Sequence, residues 1–455
     1  MILRAWQQAA INAALTKYRN PFTHFLCLAT PGAGKTVMAS TLANILIKEN
    51  KVDLVLCFSP STTVANDFRV ELEAFTKKRF CGGLGATGSS LTYQSMRFLG
   101  PDFWLLFENY RVFVIFDEIH HCAGRELEDA NAWGAEILKH IQGKATFTLA
   151  LTGTPWRSDT TPIALASYTG ENNRIHVDYR YGLKQAIKDG VCRTPHITLL
   201  DNDRITVLSG DDKKHYKSIS EFIEQSLLSY SELIGHVDVM RQVLKKGIIR
   251  LNDERITNSN AGGLIVAASI EHAKKIQSVL AEFDESSKLV TYRENHPNQL
   301  IQEFKSNTEK WIISIGMISE GTNIPRLRVC CYLSLVTTEL YFRQVLGRVL
   351  RAQYSESELG YFITPAHPKL LEFARRVSEE LPHTIFNKDH SERDEKYSET
   401  REPIQLKAPK RCEEERIIKA KVFVSPQQAL NGKLNSWYES NIDSFGRYQQ
   451  KVYML

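Results

Sequence analysis

Two stretches of this chain carry residue types at spacings suited to handling a polyphosphate. Ala29–Thr36 reads ATPGAGKT, and far downstream Gln344–Arg351 reads QVLGRVLR. In the first, Gly32 and Gly34 let the backbone approach an anion closely, and a following helix turns its N–H groups and dipole toward that anion. Lys35 is placed to reach the outer phosphates, and the Thr36 hydroxyl can hold Mg²⁺. Such a loop needs a strand before it and a helix after it. His24–Ala29 (HFLCLA) reads as a short buried strand and Thr36–Ile47 as a helix, an order that a chance glycine-rich turn would lack.

A second set of acids belongs with this loop. Val112–Phe116 (VFVIF) is a continuous apolar run, the pattern of a central parallel strand covered on both faces. Ligands of such sheets bind beyond the carboxyl ends of the strands, where Asp117 and Glu118 stand, followed by Ile119, His120 and His121. One acid can hold a metal while its neighbour orients a water. Taken alone, the pair reads equally as a solvated turn; beside the Lys35 loop it reads as part of one site.

In QVLGRVLR the spacing decides, because residues three and four apart share a helix face. Gln344, Arg348 and Arg351 fall on one stripe, and Phe342, Val345, Leu346 and Val349 on another that can pack into a core. An ordinary amphipathic helix with solvated arginines is the alternative. Gly347 argues against it, since an interior glycine costs about 1 kcal/mol relative to alanine and usually has a packing or functional reason.

With these segments in hand the chain resembles the superfamily 2 helicases and translocases, in the DEAH-like branch that includes type III restriction motor subunits and DNA-repair translocases. The resemblance spans roughly residues 3–380. Leu3, Arg4, Trp6 and Gln7 are similar to the adenine-recognition segment, and Ala29–Thr36 to motif I. FSPSTTVANDF (Phe58–Phe68) is similar to motif Ia, TYQS (Thr92–Ser95) to the next strand-contacting motif, DEIH (Asp117–His120) to motif II and TGTP (Thr152–Pro155) to motif III. LKQAIKDGVCRTP (Leu183–Pro195) is similar to the interdomain segment and Gly262–Ala273 to motif IV. SEGTNIP (Ser319–Pro325) is similar to motif V, with Asn323 where many relatives have aspartate, and Gln344, Arg348 and Arg351 fall on motif VI positions.

This resemblance implies an α/β protein with two tandem RecA-like parallel-sheet domains and a short C-terminal extension. It implies ATP and Mg²⁺ as cofactors, with Gln7 reading adenine and Thr30, Gly32, Ala33, Gly34, Lys35 and Thr36 around the phosphates. Thr36 and Asp117 would hold the metal, and Glu118 would activate water. Gly321 and Asn323 would contact nucleotide, and Gln344, Arg348 and Arg351 would act from the second lobe. The expected activity is a nucleic-acid-stimulated ATPase that translocates on or unwinds DNA, in repair or in defence against foreign DNA. DNA is favoured over RNA as the polymer. An RNA remodeller is one alternative. Another is a motor that moves without unwinding and recruits a separate nuclease, since the tail shows no acidic metal-binding cluster. A dead scaffold would be expected to lack Lys35, Glu118 or the arginines.

Bulk properties fit without deciding. The 455 residues are 43% hydrophobic and 24% charged, ordinary for a globular chain long enough for several cores. A formal charge of +5 and a pI near 8.6 permit nucleic-acid binding but fall short of a dedicated basic footprint. The eight cysteines show no CxxC pair or zinc spacing and several lie in apolar strands, so reduced thiols in a cytoplasmic protein are expected. No apolar stretch approaches a membrane span in length, and residues 2–15 carry polar residues at helical spacing rather than a signal peptide.

Along the chain, lobe 1 is expected over 1–195 and lobe 2 over 196–385, with a linker and tail over 386–455. Strands are expected at Leu26, Leu54–Phe58, Val112–Phe116 and Phe147–Leu151, then at Leu264–Ala267, Leu289–Tyr292, Trp311–Ile315, Val329–Leu333 and Tyr361–Ile363. Asp201–Asn260 reads as polar and mostly helical, with SGDDKK (Ser209–Lys214) as an exposed loop. Asn387–Arg411, with Pro403 and Pro409, reads as a mobile linker. Beyond it Val422–Leu455 recovers aromatics, including Trp437, Tyr438, Phe445 and Tyr448. That tail reads either as a terminal helix packed on lobe 2 or as a docking segment for a partner protein.

Overall fold

The apolar runs of the first part fold as strands buried on both faces. β1 (His24–Ala29), β2 (Leu54–Ser59), β3 (Gly88–Thr92), β4 (Val112–Phe116) and β5 (Phe147–Thr152) are followed by a small ribbon, β6 (Tyr168–Thr169) and β7 (Arg174–Ile175), and by β8 (Tyr179–Tyr181). One all-parallel sheet takes the order β3-β2-β4-β5-β1-β8. Successive side chains point to opposite faces. Phe113 and Ile115 therefore join Cys27, Cys57 and Leu151 on one side, while Val114 and Phe116 join Leu26, Phe58 and Ala150 on the other. Burying each such large side chain is worth roughly 1.5–3 kcal/mol, so the run fixes β4 at the centre of the sheet.

This description rests on a computed structural model covering residues 3–20, 22–154, 157, 161–169, 174–209, 211–291, 293–294, 297–316, 318, 324–352, 358–379 and 440–454. Gly321 and Asn323, with most of SEGTNIP, lie outside the described residues. So do Pro155, the linker segment 387–411, Cys412, Trp437 and Tyr438.

A second parallel sheet follows. Its strands are β9 (Thr194–Asn202), β12 (Gly262–Ala267), β13 (Ser287–Val290), β14 (Trp311–Ser314), β15 (Leu327–Leu333) and β16 (Leu359–Pro365). Two further strands between them, β10 (Ile205–Ser209) and β11 (Asp212–Tyr216), form a hairpin, and β17 (Ser440–Phe445) and β18 (Tyr448–Met454) follow near the end, each joining a different sheet. The sheet order is β13-β14-β12-β15-β16-β9-β18, with β18 antiparallel to β9; a separate antiparallel sheet takes β11-β10-β17. The chain is thus an α/β protein with two parallel-sheet layers, as two RecA-like domains require.

Two expectations need correction. Asp201–Asn260 is mostly helical, as expected, but SGDDKK is not simply a loop, because β10 and β11 occupy the first part of the segment. Helices run at Ile219–Gln225, Tyr230–Ile234 and Val237–Thr257 after them. Ile205, Val207 and Tyr216 alternate inward to pack on Phe222 and Leu233, which gives the charged hairpin a buried face. The tail does not end in a helix either: residues 440–454 add a strand to each of two sheets, because Ile442 and Phe445 pack on the same small core while Tyr453 packs on lobe 2. Among the described residues no helix is long and apolar enough to cross a membrane. Cys27, Cys57, Cys122, Cys192, Cys330 and Cys331 are buried free thiols, and Cys81 is an exposed one.

Candidate active site

The phosphate-type loop leaves β1 at Ala29 and runs into a helix, Lys35–Lys48, through two glycines in the left-handed region, Gly32 at φ 81° and Gly34 at φ 94°. A side chain at either position would be strained, so glycine is what lets the loop close over the helix N-terminus. The loop is held from outside. The Arg4 guanidinium donates to the Ala33 carbonyl at 2.7 Å, and the Gln7 amide donates to the Gly34 carbonyl at 2.9 Å. Thr30 and Ala33 are buried, and Thr30 N–H donates to the Tyr181 carbonyl.

Lys35 enters the cleft and reaches Glu118 Oε1 at 2.8 Å. Asp117 ends the central strand run, and its N–H donates to the Phe58 carbonyl across β2. Glu118 sits at φ 50° and ψ 53°, a left-handed conformation that costs a residue with a side chain on the order of 1–3 kcal/mol. That turn swings its carboxylate back over the loop, where Gly153 N–H donates to Oε2 at 3.2 Å. His120 stands 3.4 Å from the same oxygen and places Nδ1 2.9 Å from the Thr152 hydroxyl, so the acids and the TGTP segment share one network.

The electrostatics divide the acids. Burial pushes the Asp117 carboxyl up, and the charge of Glu118 adds to it. Burial also acts to raise Glu118, but the Lys35 ammonium and His120 outweigh it and hold that carboxyl below the usual range. A second cation near Asp117 would reverse its shift. An oxygen-only set of Thr36 hydroxyl and Asp117 carboxylate suits a small hard cation such as Mg²⁺, which keeps several waters and needs few protein ligands.

From the other lobe comes the helix Glu339–Val349. Phe342, Val345, Leu346 and Val349 pack into the lobe 2 core, and the opposite stripe of Gln344, Arg348 and Arg351 turns to the cleft. The cleft, of about 370 Å³, is lined from lobe 1 by Gly32, Gly34, Lys35, Thr36, Asp117 and Glu118. Arg351 lies just past the helix, its Cγ 2.9 Å from where a β-carbon on Gly32 would stand. Burial lowers the pKa of Arg351, and Glu118 acts against that from across the cleft.

Gln7, Thr30 and Ala33 support the loop rather than line this cleft. An adjoining cavity of about 650 Å³ is lined by Arg4, Trp6, Tyr181, Asp189, Val191 and Ala352 among others, with the Trp6 and Tyr181 rings stacked at 4.8 Å. Tyr181 and Asp189 escaped sequence reasoning; the aromatic of YRY next to LKQAIKDG was the available signal. Asp67 and Phe68 also line the main cleft, unread from FSPSTTVANDF. Of the strand-contact candidates, Gln94 is exposed and donates to the Pro60 carbonyl, while the Thr92 hydroxyl caps the next turn.

Residues 1–157 match the family described as type III restriction enzyme, res subunit. An uncharacterized protein of Mycobacterium leprae is 29% identical over 405 residues, covering 86% of this chain and 66% of its own length. The chain therefore spans about two thirds of the length of such relatives. The DNA 3′–5′ translocase XPB2 of Sulfurisphaera tokodaii is 21% identical, covering 80% of this chain and 81% of that protein. A fragment assigned as an HsdR subunit of a type I restriction enzyme from Vibrio vulnificus superposes with a TM-score of 0.57 at 17% identity, over 84% of this chain and 68% of that one. The ATP-dependent type ISP restriction-modification enzyme LlaBIII bound to DNA gives 0.54 at 16% identity, over 83% of this chain and 29% of that one. At these identities the two structures speak for the fold.

Proposed function

We propose that this chain, which belongs with the superfamily 2 helicase motors related to restriction-enzyme subunits, is a nucleic-acid-stimulated ATPase that moves along DNA. One observation carries the reading: Lys35, Thr36, Asp117 and Glu118 of one lobe and Gln344, Arg348 and Arg351 of the other line a single cleft. We take residues 1–195 and 196–385 as the two lobes and 386–455 as the extension.

Bound between the lobes, ATP with Mg²⁺ supplies the phosphoanhydride that is broken and the charge that holds its oxygens. Lys35 leaves Glu118 to meet the outer phosphates, and Thr36 with Asp117 holds the cation. Glu118, freed from the ammonium, accepts the proton of the attacking water. Gln7 keeps the phosphate-type loop in shape, its amide accepting from the Arg4 N–H and donating to the Gly34 carbonyl. Arg348 and Arg351 stabilise charge in the transition state. Arginines supplied this way are worth about 10³–10⁵ in rate, roughly 4–7 kcal/mol, so opening the cleft turns hydrolysis off.

Contacts to the polymer fall on its backbone through the Thr92–Gln94 turn, which implies little sequence preference and affinity that falls with salt. A DNA-repair role, or foreign-DNA defence beside a separate nuclease, suits such a motor, with the C-terminal extension as a docking segment for a partner protein. The test is turnover of purified protein with single-stranded DNA, duplex DNA and RNA. Stimulation by DNA is expected. Preference for RNA makes the protein an RNA remodeller, and no hydrolysis with any polymer ends the proposal.

A further inference from the structure

Arg193 is among the largest fully buried side chains of the described residues, 2% exposed, although no phosphate, metal or substrate role falls to it. Burying a guanidinium is costly unless its donors are all met, so the partners it takes are informative. Its Nε donates to Glu358 Oε2 at 2.8 Å. One terminal nitrogen donates to the carbonyls of Leu327 at 2.8 Å and Val349 at 3.0 Å, and the other to that of Pro325 at 3.3 Å. Its main-chain N–H donates to the Leu350 carbonyl at 2.7 Å.

These partners belong to two segments that matter to the cleft. Val349 and Leu350 are the last turn of the arginine helix, where a cation meets unsatisfied carbonyls and the negative end of the dipole. Pro325 lines the cleft and is the last residue of SEGTNIP. The preceding residue, Cys192, pairs by backbone with Arg351 and lies with its sulfur 3.7 Å from the Pro31 carbonyl of the phosphate-type loop. A purely structural strut would join any two elements of lobe 2. This one stands where the chain crosses between lobes, and holds the carbonyls on both sides of the arginines' seat.

We infer that Arg193 is a positioning residue. It clamps the C-terminal turn of the arginine helix to the Pro325–Leu327 segment and so sets Arg348 and Arg351 against the phosphate-type loop. The inference rests on the proposed ATPase reading. Arg193 touches neither nucleotide nor nucleic acid; it acts through Arg351.

The experiment compares full-length wild type, Arg193→Lys, Arg351→Ala and the double variant, measuring KM and kcat for ATP at saturating single-stranded DNA, with thermal midpoints alongside. For Arg193→Lys, stimulated kcat is expected to fall about tenfold or more with KM within about threefold, because a shorter single-point cation cannot hold the three carbonyls together. The double variant is expected to be no slower than Arg351→Ala, since residues that act as a unit are not additive. Stimulated kcat within twofold of wild type, or losses that multiply in the double variant, overturns the inference. Should Arg193→Lys fail to fold, Glu358→Gln replaces it; the same non-additive fall in kcat is expected, and unchanged turnover overturns the inference equally. A wild type that does not hydrolyse ATP instead removes the function on which the inference stands.

Discussion

Gly347 of the arginine helix faces Pro31 of the phosphate-type loop so closely that a β-carbon at 347 would stand 2.8 Å from Pro31 Cβ. Interior glycine is unfavourable to a helix, and here its reason is the approach of the two lobes. Gly347→Ala should leave the thermal midpoint equal or higher, since alanine favours the helix by about 1 kcal/mol. Stimulated turnover should fall by roughly a hundredfold, as an ångström of separation misplaces both arginines. A lower midpoint with full turnover would mean that the glycine serves packing alone.

Glu118→Gln keeps the shape of the side chain but cannot take a proton from water. Nucleotide binding should persist while turnover drops by about 10²–10⁴, the usual share of a general base. Binding can be followed with a fluorescent nucleotide and hydrolysis by phosphate release. Near-normal release would move water activation to another group.

Arg351→Ala tests the division of the site between lobes. Lobe 1 alone should still bind ATP within a few-fold, while DNA-stimulated hydrolysis should fall by about 10³–10⁵. If stimulated turnover were retained, the cleft-facing arginine would be a bystander and the two-lobe mechanism would lose its support.

His24 predicts an acid limit to stability. It is partly buried, with Nδ1 2.8 Å from the Thr148 hydroxyl, and desolvation, helped by Lys17, lowers its pKa to about 4. The unfolded chain takes up this proton near pH 6.5 and the folded chain only near 4. Stability is therefore fully present above 6.5 and is lost as pH falls through that window. Between pH 7.5 and 5 the loss from this group is roughly 2 kcal/mol. Urea unfolding of wild type and His24→Gln at both pH values measures it; equal pH dependence in the two proteins would show that His24 contributes nothing.

Much of this arrangement is legible in the sequence because its carriers are local. The strand runs HFLCLA and VFVIF declare burial on both faces, and the loop glycines and the stripe of Gln344, Arg348 and Arg351 declare a phosphate-facing surface. What escaped depends on distant pairing. DKKHY at Asp212–Tyr216 is charged along its length and becomes β11 only because β10 lies beside it and Tyr216 finds the Phe222 core. The tail becomes β17 and β18 by pairing with strands more than half the chain away, which no local periodicity encodes. Arg193 stands in LKQAIKDGVCRTP with no sign of its role until the helix end and the Pro325 segment close around it.

The pairing of β18 with β9 has a mechanical consequence. β18 runs antiparallel to β9, with Met454 opposite His196 and Tyr448 opposite Asn202, so Met454 lies beside the point where β9 leaves the interlobe crossover. A pull or a tether at Met454 would load the β9–β18 ladder in shear, and β9 begins at Thr194, next to Arg193. Force delivered along β18 would pass through β9 to the arginine clamp, coupling that edge strand to the gap between the lobes.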